Sequence, residues 1–312
     1  MMHGLPRTHV WWSVSGIIGS TNPDPITAFR RYGDDLRSAG ECVLWLAPGA
    51  FGKGYLWEDP ENLKPFLASA KQQGFLHLGL TFCKKIPYCL KEFRCQMKFE
   101  NLYVRTFDEP PLLLEPHEIE EWKAVSADDP DYVKRHVALD PASPELVKQL
   151  SAFTHCWSFS ENSICAALEW RRSGKIDVGE DEIGMYIGLA DAYNRPYLEA
   201  VKLGWTAGYL QLPHFGMCSY RQCVHYGPHG PIPSGFWEGV REARRVFDLL
   251  SQAHENELDT SSIIGPHNSC PIHVKRTNNS PQGYPVVTLT GTPLGFMRAK
   301  HDLLALTSGG GR

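Results

Sequence analysis

Between residues 214 and 229 the chain carries five side chains able to ligate a soft or borderline metal ion: His214, Cys218, Cys223, His225 and His229. Their spacing is H-x3-C-x4-C-x-H-x3-H, in a stretch rich in proline and glycine where the backbone can curl ligands around one point. His267, Cys270 and His273 repeat the chemistry at H-x2-C-x2-H, again beside prolines. Imidazole and thiolate suit zinc or iron, and a catalytic centre needs only three protein ligands and an open position. An ion held there would activate a bound water or polarise a substrate oxygen. Glu238 and Asp248 are nearby in sequence as bases or as partners of the ligands. Neither spacing is that of a zinc finger or ribbon. Each residue also has a plainer reading as a packed or hydrogen-bonded side chain, cysteine being among the most buried residue types, and the two acids as a solvated helix face.

A second group with chemistry comes from loops rather than spacing. Ser20, Thr21 and Asn22 precede a helix start, Gly49, Gly52 and Lys53 lie in a glycine-rich turn, and Lys84 and Lys85 follow a strand. Loops after parallel strands open at one edge of the sheet, where ligands bind. Backbone amides, a helix dipole and ammonium groups there make a cradle for phosphate or carboxylate. The turn lacks the P-loop spacing, and no G-x-G-x-x-G follows the first strand. No G-x-S-x-G elbow is present, so a serine hydrolase of the α/β-hydrolase kind has no support.

Other clusters favour structural readings. Lys84, Lys85, Lys91, Arg94, Lys98 and Arg105 interleave with Tyr88, Phe93, Phe99 and Tyr103, a mixture suited to single-stranded nucleic acid, but the following segment 108–131 is acidic and offers an internal charge match. His155 and Cys156 sit among Phe153, Trp157 and Phe159 and read as core. His9 and His77 fall in predicted strands and read as half-buried. Asp177, Glu180, Asp181 and Glu182 suit the first turn of a helix, whose dipole favours negative charge.

These residues need a scaffold, and the N-terminal third supplies βα repeats. A strand over 8–18 is followed by Asp24, an N-cap, and Pro25 at the first helical position, with Gly40 as the stop. Cys42–Ala47 reads as a strand, residues 59–73 as a helix, Leu76–Phe82 and Leu102–Phe107 as strands. Helices between such strands imply parallel pairing with right-handed crossovers. Beyond residue 126 the pattern predicts helices over 144–153, 161–172, 181–203 and 236–253, the third kinked or broken at Pro196, and a strand over 284–291. The segment Ile187–Leu212, a helix feeding into Tyr209-Leu210-Gln211-Leu212, resembles helix-to-strand units of barrel enzymes of the cobalamin-independent methionine synthase and uroporphyrinogen decarboxylase type, without their functional motifs.

Composition bounds the rest. The chain has 312 residues, 42% of them hydrophobic, nine tryptophans and a net charge of −4. That is ample material for a core and no global field for nucleic acid or anionic membrane. Nine cysteines, an odd number spread over a long chain, read as free thiols in a reducing compartment. No signal peptide or membrane-spanning run is readable, which points to the cytoplasm.

The expectation is an α/β protein with N-terminal βαβ units and a largely parallel sheet, doubly wound or else a barrel, and a helix-rich C-terminal half. Residues 1–125 form the sheet portion and 126–312 the helix-rich portion, as two domains or one continuous one. The leading function is an intracellular enzyme acting on a small polar or anionic substrate, assisted by zinc or iron in the His/Cys loops. The alternatives are a nucleotide- or phosphosugar-binding hydrolase, transferase or sensor using Ser20, Thr21, Asn22, Gly52 and Lys53, and a non-catalytic interaction component.

Overall fold

The computed structural model describes residues 8–10, 24–46, 60–81, 85–86, 88–110, 113–140, 142–179, 182–187, 194–217, 220, 223–227, 230–277 and 286–309. They fall into two compact units, one of residues 1–190 with 213–233 and one of 191–212 with 234–312.

In the first unit strands and helices alternate: β1 (Thr8–Val10), α1 (Pro25–Ser38), β2 (Val43–Leu46), α2 (Pro60–Gln72), β3 (His77–Thr81), α3 (Tyr88–Gln96), β4 (Leu102–Asp108), α4 (Pro116–Ser126), β5 (Val133–Leu139), α5 (Pro144–Leu150), β6 (Cys156–Ser160), α6 (Ile164–Arg172), β7 (Ile183–Ile187) and β8 (Phe215–Met217). The local chemistry is as the sequence predicts at α1, where the Asp24 carboxylate accepts from the Thr27 amide at 3.0 Å and Pro25 follows it. Gly40 adopts φ 84° just past the helix end, a conformation glycine takes without steric cost.

All eight strands pair in parallel, in the order β1-β8-β7-β6-β5-β4-β3-β2. A doubly wound sheet reverses direction at a switch point. Here the order never reverses, and the first strand joins the last. This is the strand order of a (β/α)8 barrel, the second of the two arrangements the sequence allows, with β1 and β2 at the ends of the hydrogen-bonded run among the described residues. The sheet passes residue 126 without a break, since β5 to β8 all lie beyond it.

One predicted element is overturned. The segment 181–203 does break at Pro196, with a helix starting at Tyr197, but its first part is not helical, because Ile183–Ile187 is strand β7. Its Ile-Gly-Met-Tyr-Ile run is buried over residues 183–186, and a short apolar run of this kind is a fully buried parallel strand as readily as a helix turn. The acidic residues before it precede that strand. The unit ends in an antiparallel hairpin, β9 (Val224–Gly227) with β10 (Gly230–Pro233). The Tyr220 hydroxyl donates to Asp35 of α1 at 2.5 Å just before the hairpin.

The two faces of the sheet differ in chemistry. Arg135 of β5 is fully buried, donates to Asp129 at 2.7 Å and lies 5.6 Å from the ring centre of Trp122 on α4. It therefore faces the helices, as do the buried apolar Val137 and Leu139 at alternate positions. Residues 136, 138 and 140 face the other way, toward what we call the inner face.

The second unit contains α7 (Tyr197–Tyr209), α8 (Gly235–Glu255), β11 (Ile264–Gly265), β12 (Ile272–Thr277), β13 (Val286–Thr290) and α9 (Pro293–Gly309). A Cβ on Gly204 would lie 2.1 Å from the Ala243 carbonyl oxygen, so glycine is what lets α7 and α8 touch backbone to backbone. Trp205, Val246, Leu250, Ile272, Phe296 and Leu303 build its core. Among the described residues no helix is long and apolar enough to cross a membrane.

Candidate active site

Strand register fixes which side chains share the inner face. Trp45 is level with Gly79, which is level with Tyr103. The Trp45 indole lies where a Cβ on Gly79 would stand, 2.4 Å away, and His77 meets the Tyr103 ring edge-to-face at 5.4 Å. One row higher are Thr81, Arg105 and His136. Higher again, Ser158 is level with Gly184 and Ala138. The Ser158 hydroxyl lies 2.8 Å from Nε2 of His136 and 3.5 Å from Nε2 of His214. The second distance marks a weak hydrogen bond at most. Complete burial lowers the His214 pKa to about 3, against the opposing pull of a hydrogen bond with the Trp157 backbone, so the ring is neutral at ordinary pH. Burial, with the positive charge of Lys71, likewise takes His77 down to about 4.

At the C-terminal ends of the strands the inner face turns acidic. Tyr186 of β7 is buried, and its hydroxyl donates to the carboxylate of Glu109, just past the end of β4, at 2.5 Å. Glu109 holds φ 52° and donates its own amide to the Ala138 carbonyl at 2.9 Å. A non-glycine residue in this left-handed region is uncommon, and such strain collects at functional edges. Beside it, Ser160 of β6 donates to Asp140, just past the end of β5, at 2.9 Å. Ser160 and Tyr186 are register partners. Four consecutive strands, β4 to β7, thus bring two carboxylates and two hydroxyls to one edge, the edge where barrel folds bind their ligands. Glu109 is exposed while its orienting phenol is buried. A carboxyl group so fixed can exchange a proton with a bound molecule.

The residues singled out by sequence are dispersed. His214 is wholly buried on the inner face. Cys223 is buried before β9, its amide bonded to the Tyr220 carbonyl at 2.8 Å, and His225 is exposed on β9 opposite Ile232. Cys218 and His229 lie outside the described residues, as do Ser20, Thr21, Asn22, Gly52 and Lys53. His267, Cys270 and His273 belong to the second unit. The Cys270 thiol donates to the Ser261 carbonyl at 3.3 Å, and Cys270 and His273 line a cavity of about 450 Å³ with Arg298. His267 lines a different cavity, beside His254 and Asp259. Among the described residues no group of three His, Cys, Asp or Glu side chains is placed to hold a metal ion. Glu238 and Asp248 pair with Arg241 at 2.7 Å and Arg244 at 2.6 Å along α8. Cys156 is core, its thiol pKa pushed up by burial.

Sequence reasoning missed Glu109, Tyr186, Asp140, Ser160, His136 and Ser158. A signal was available for the first: the acidic pair Asp108-Glu109, closed by Pro110, stands at the end of an apolar strand. Strand-end carboxylates carry more meaning than the bulk acidity of segment 108–131.

No family model matches the sequence, and no curated protein matches it. Solved structures do resemble the fold at low identity. An endo-β-N-acetylglucosaminidase from Cordyceps militaris is 8% identical with a TM-score of 0.49, over 78% of this chain and 92% of its own. A spore coat polysaccharide biosynthesis protein from Bacillus subtilis is 9% identical with a TM-score of 0.47, over 80% and 70%. Tryptophan synthase from Mycobacterium tuberculosis is 11% identical with a TM-score of 0.42, over 78% and 93%. Likeness of this degree leaves function to the geometry of the site.

Proposed function

We propose that the protein is an enzyme that binds a small polar substrate at the C-terminal edge of its parallel sheet and transfers a proton through Glu109. The observation that carries this reading is the Tyr186–Glu109 hydrogen bond of 2.5 Å, which joins β4 and β7 at that edge. Tyr186 holds the carboxyl in one direction, and the exposed glutamate reaches the bound molecule. Asp140, fixed by Ser160, supplies a second carboxylate two strands from Tyr186. Paired carboxyl groups, one acting as acid and the other as base or charge stabiliser, serve hydrolytic and proton-transfer chemistry. The buried His136, Ser158 and His214 lie one row or more beneath, on β5, on β6 and just before β8.

The test is a screen of the purified protein against chromogenic esters, glycosides and phosphate esters, run in parallel with Glu109→Gln. The reading predicts a turnover that the substitution lowers by about 10²–10⁴-fold, the usual contribution of a positioned acid or base. A turnover left unchanged in Glu109→Gln overturns it.

A further inference from the structure

We infer that the β2–β4 wall of the inner face is an oxyanion subsite, in which Trp45, Thr81 and Arg105 receive a carboxylate or phosphate group of the substrate. The three come from adjacent strands. Thr81 and Arg105 are register partners, and Trp45 is level with Gly79, two residues before Thr81 on the same face. Each is more than nine-tenths buried: Trp45 is 0% exposed, Arg105 6% and Thr81 7%. Among the described residues neither Nε1 of Trp45 nor Oγ1 of Thr81 has a hydrogen-bond partner. Buried polar groups in native proteins are nearly always satisfied, so two orphans on one wall beside a buried guanidinium point to a ligand.

The kinds of atom identify that ligand. An indole N–H and a guanidinium only donate, and a threonine hydroxyl donates readily. Donors on three strands match an acceptor-rich group, and the positive charge of Arg105 selects an anionic one. In a place shielded from water those hydrogen bonds are strong. Glu109 follows Arg105 along β4 and Asp140 follows the adjacent β5, so the inner face is polarised along its strands, with donors deeper and carboxylates at the C-terminal edge. The inference extends the proposed site and rests on the reading that this edge binds substrate: the anion is held deeper on the inner face while the proton is moved at its edge.

The experiment uses full-length protein labelled with ¹⁵N at the tryptophan indoles, with the Trp45 resonance assigned by Trp45→Phe. Inorganic phosphate and sodium acetate are titrated separately, with sodium chloride as the ionic-strength control. A saturable shift of the Trp45 indole in the millimolar range, absent with chloride, is the expected result. A response to phosphate, to acetate or to both supports the subsite and tells which oxyanion it prefers. Thr81→Val, which keeps the shape of the side chain, is expected to weaken that binding by about tenfold, the loss of one hydrogen bond to a charged group. Dispersed indole resonances in the variant confirm that it is folded. No saturable shift with either anion, or one untouched in folded Thr81→Val, overturns the inference. Glu109→Gln separates the two readings, because it abolishes turnover if the acid–base assignment holds and leaves oxyanion binding in place.

Discussion

A Cβ on Gly184 would lie 2.0 Å from Nε2 of His214, so the absence of a side chain on β7 is what gives the β8 imidazole its place. Both residues are buried on the inner face, and neither strand can shift without disturbing the ladder they share. Gly184→Ala is therefore expected to destabilise the fold by about 1–3 kcal/mol through overpacking. Urea unfolding checks this, and a midpoint equal to that of the wild type counts against the packing described.

Acid should weaken the protein through its buried histidines. The His214 pKa lies at about 3 and that of His77 at about 4, both below the usual 6.5. As pH falls below 6.5 the unfolded chain takes up protons that the folded chain refuses, so stability declines through that window and levels off at the folded pKa values. The cost is on the order of 3 kcal/mol for His77 by pH 4. Denaturant melts of wild type and His77→Leu at pH 7 and pH 4.5 are the measurement, and the variant is expected to show the smaller decline.

Tyr186→Phe removes only the hydroxyl that orients Glu109. Loss of one hydrogen bond to a partly solvated carboxylate costs about 1 kcal/mol of stability, whereas a turnover found for the wild type should fall by about tenfold or more as Glu109 loses its direction. Steady-state kinetics beside a thermal melt separate the two effects. An unchanged turnover in folded Tyr186→Phe would make the tyrosine a packing residue only.

Arg135 is buried against Asp129 and Trp122 on the helix face of β5. Arg135→Ala leaves a carboxylate without its partner and is expected to cost about 3–5 kcal/mol. Arg135→Met paired with Asp129→Leu should recover most of that loss, as measured by chemical denaturation of the three variants.

How far the sequence could lead depended on the range of each signal. α1 was readable because Asp24, Pro25 and Gly40 act on their own neighbours. β2, β3 and β4 were readable as apolar runs between turn signals. β7 was taken for the start of a helix because Ile183–Ile187 is too short for its period to decide, and only pairing with β6 and β8 makes it a strand. The barrel order is one of the two arrangements the sequence allows, but the sequence reading contains no strand at β5, β6 or β8. The candidate site was the least legible part. Tyr186 and Glu109 are 77 positions apart, and nothing local to either announces the other. Histidine and cysteine spacing drew attention instead, since metal ligands do announce themselves locally, yet His214 proved to be bound to the sheet interior and Cys270 to a turn of the second unit.

The division of labour between the two faces of the sheet has an evolutionary consequence. The helix-facing side chains, such as Val137, Leu139 and Phe159, hold the layers together, and each alternates along its strand with an inner-face residue such as His136, Asp140 or Ser160. On the function proposed for the inner face, neighbouring codons answer to different pressures. On that same proposal a lineage can exchange the inner set, changing which molecule is bound and what is done to it, while the outer set keeps the same scaffold standing.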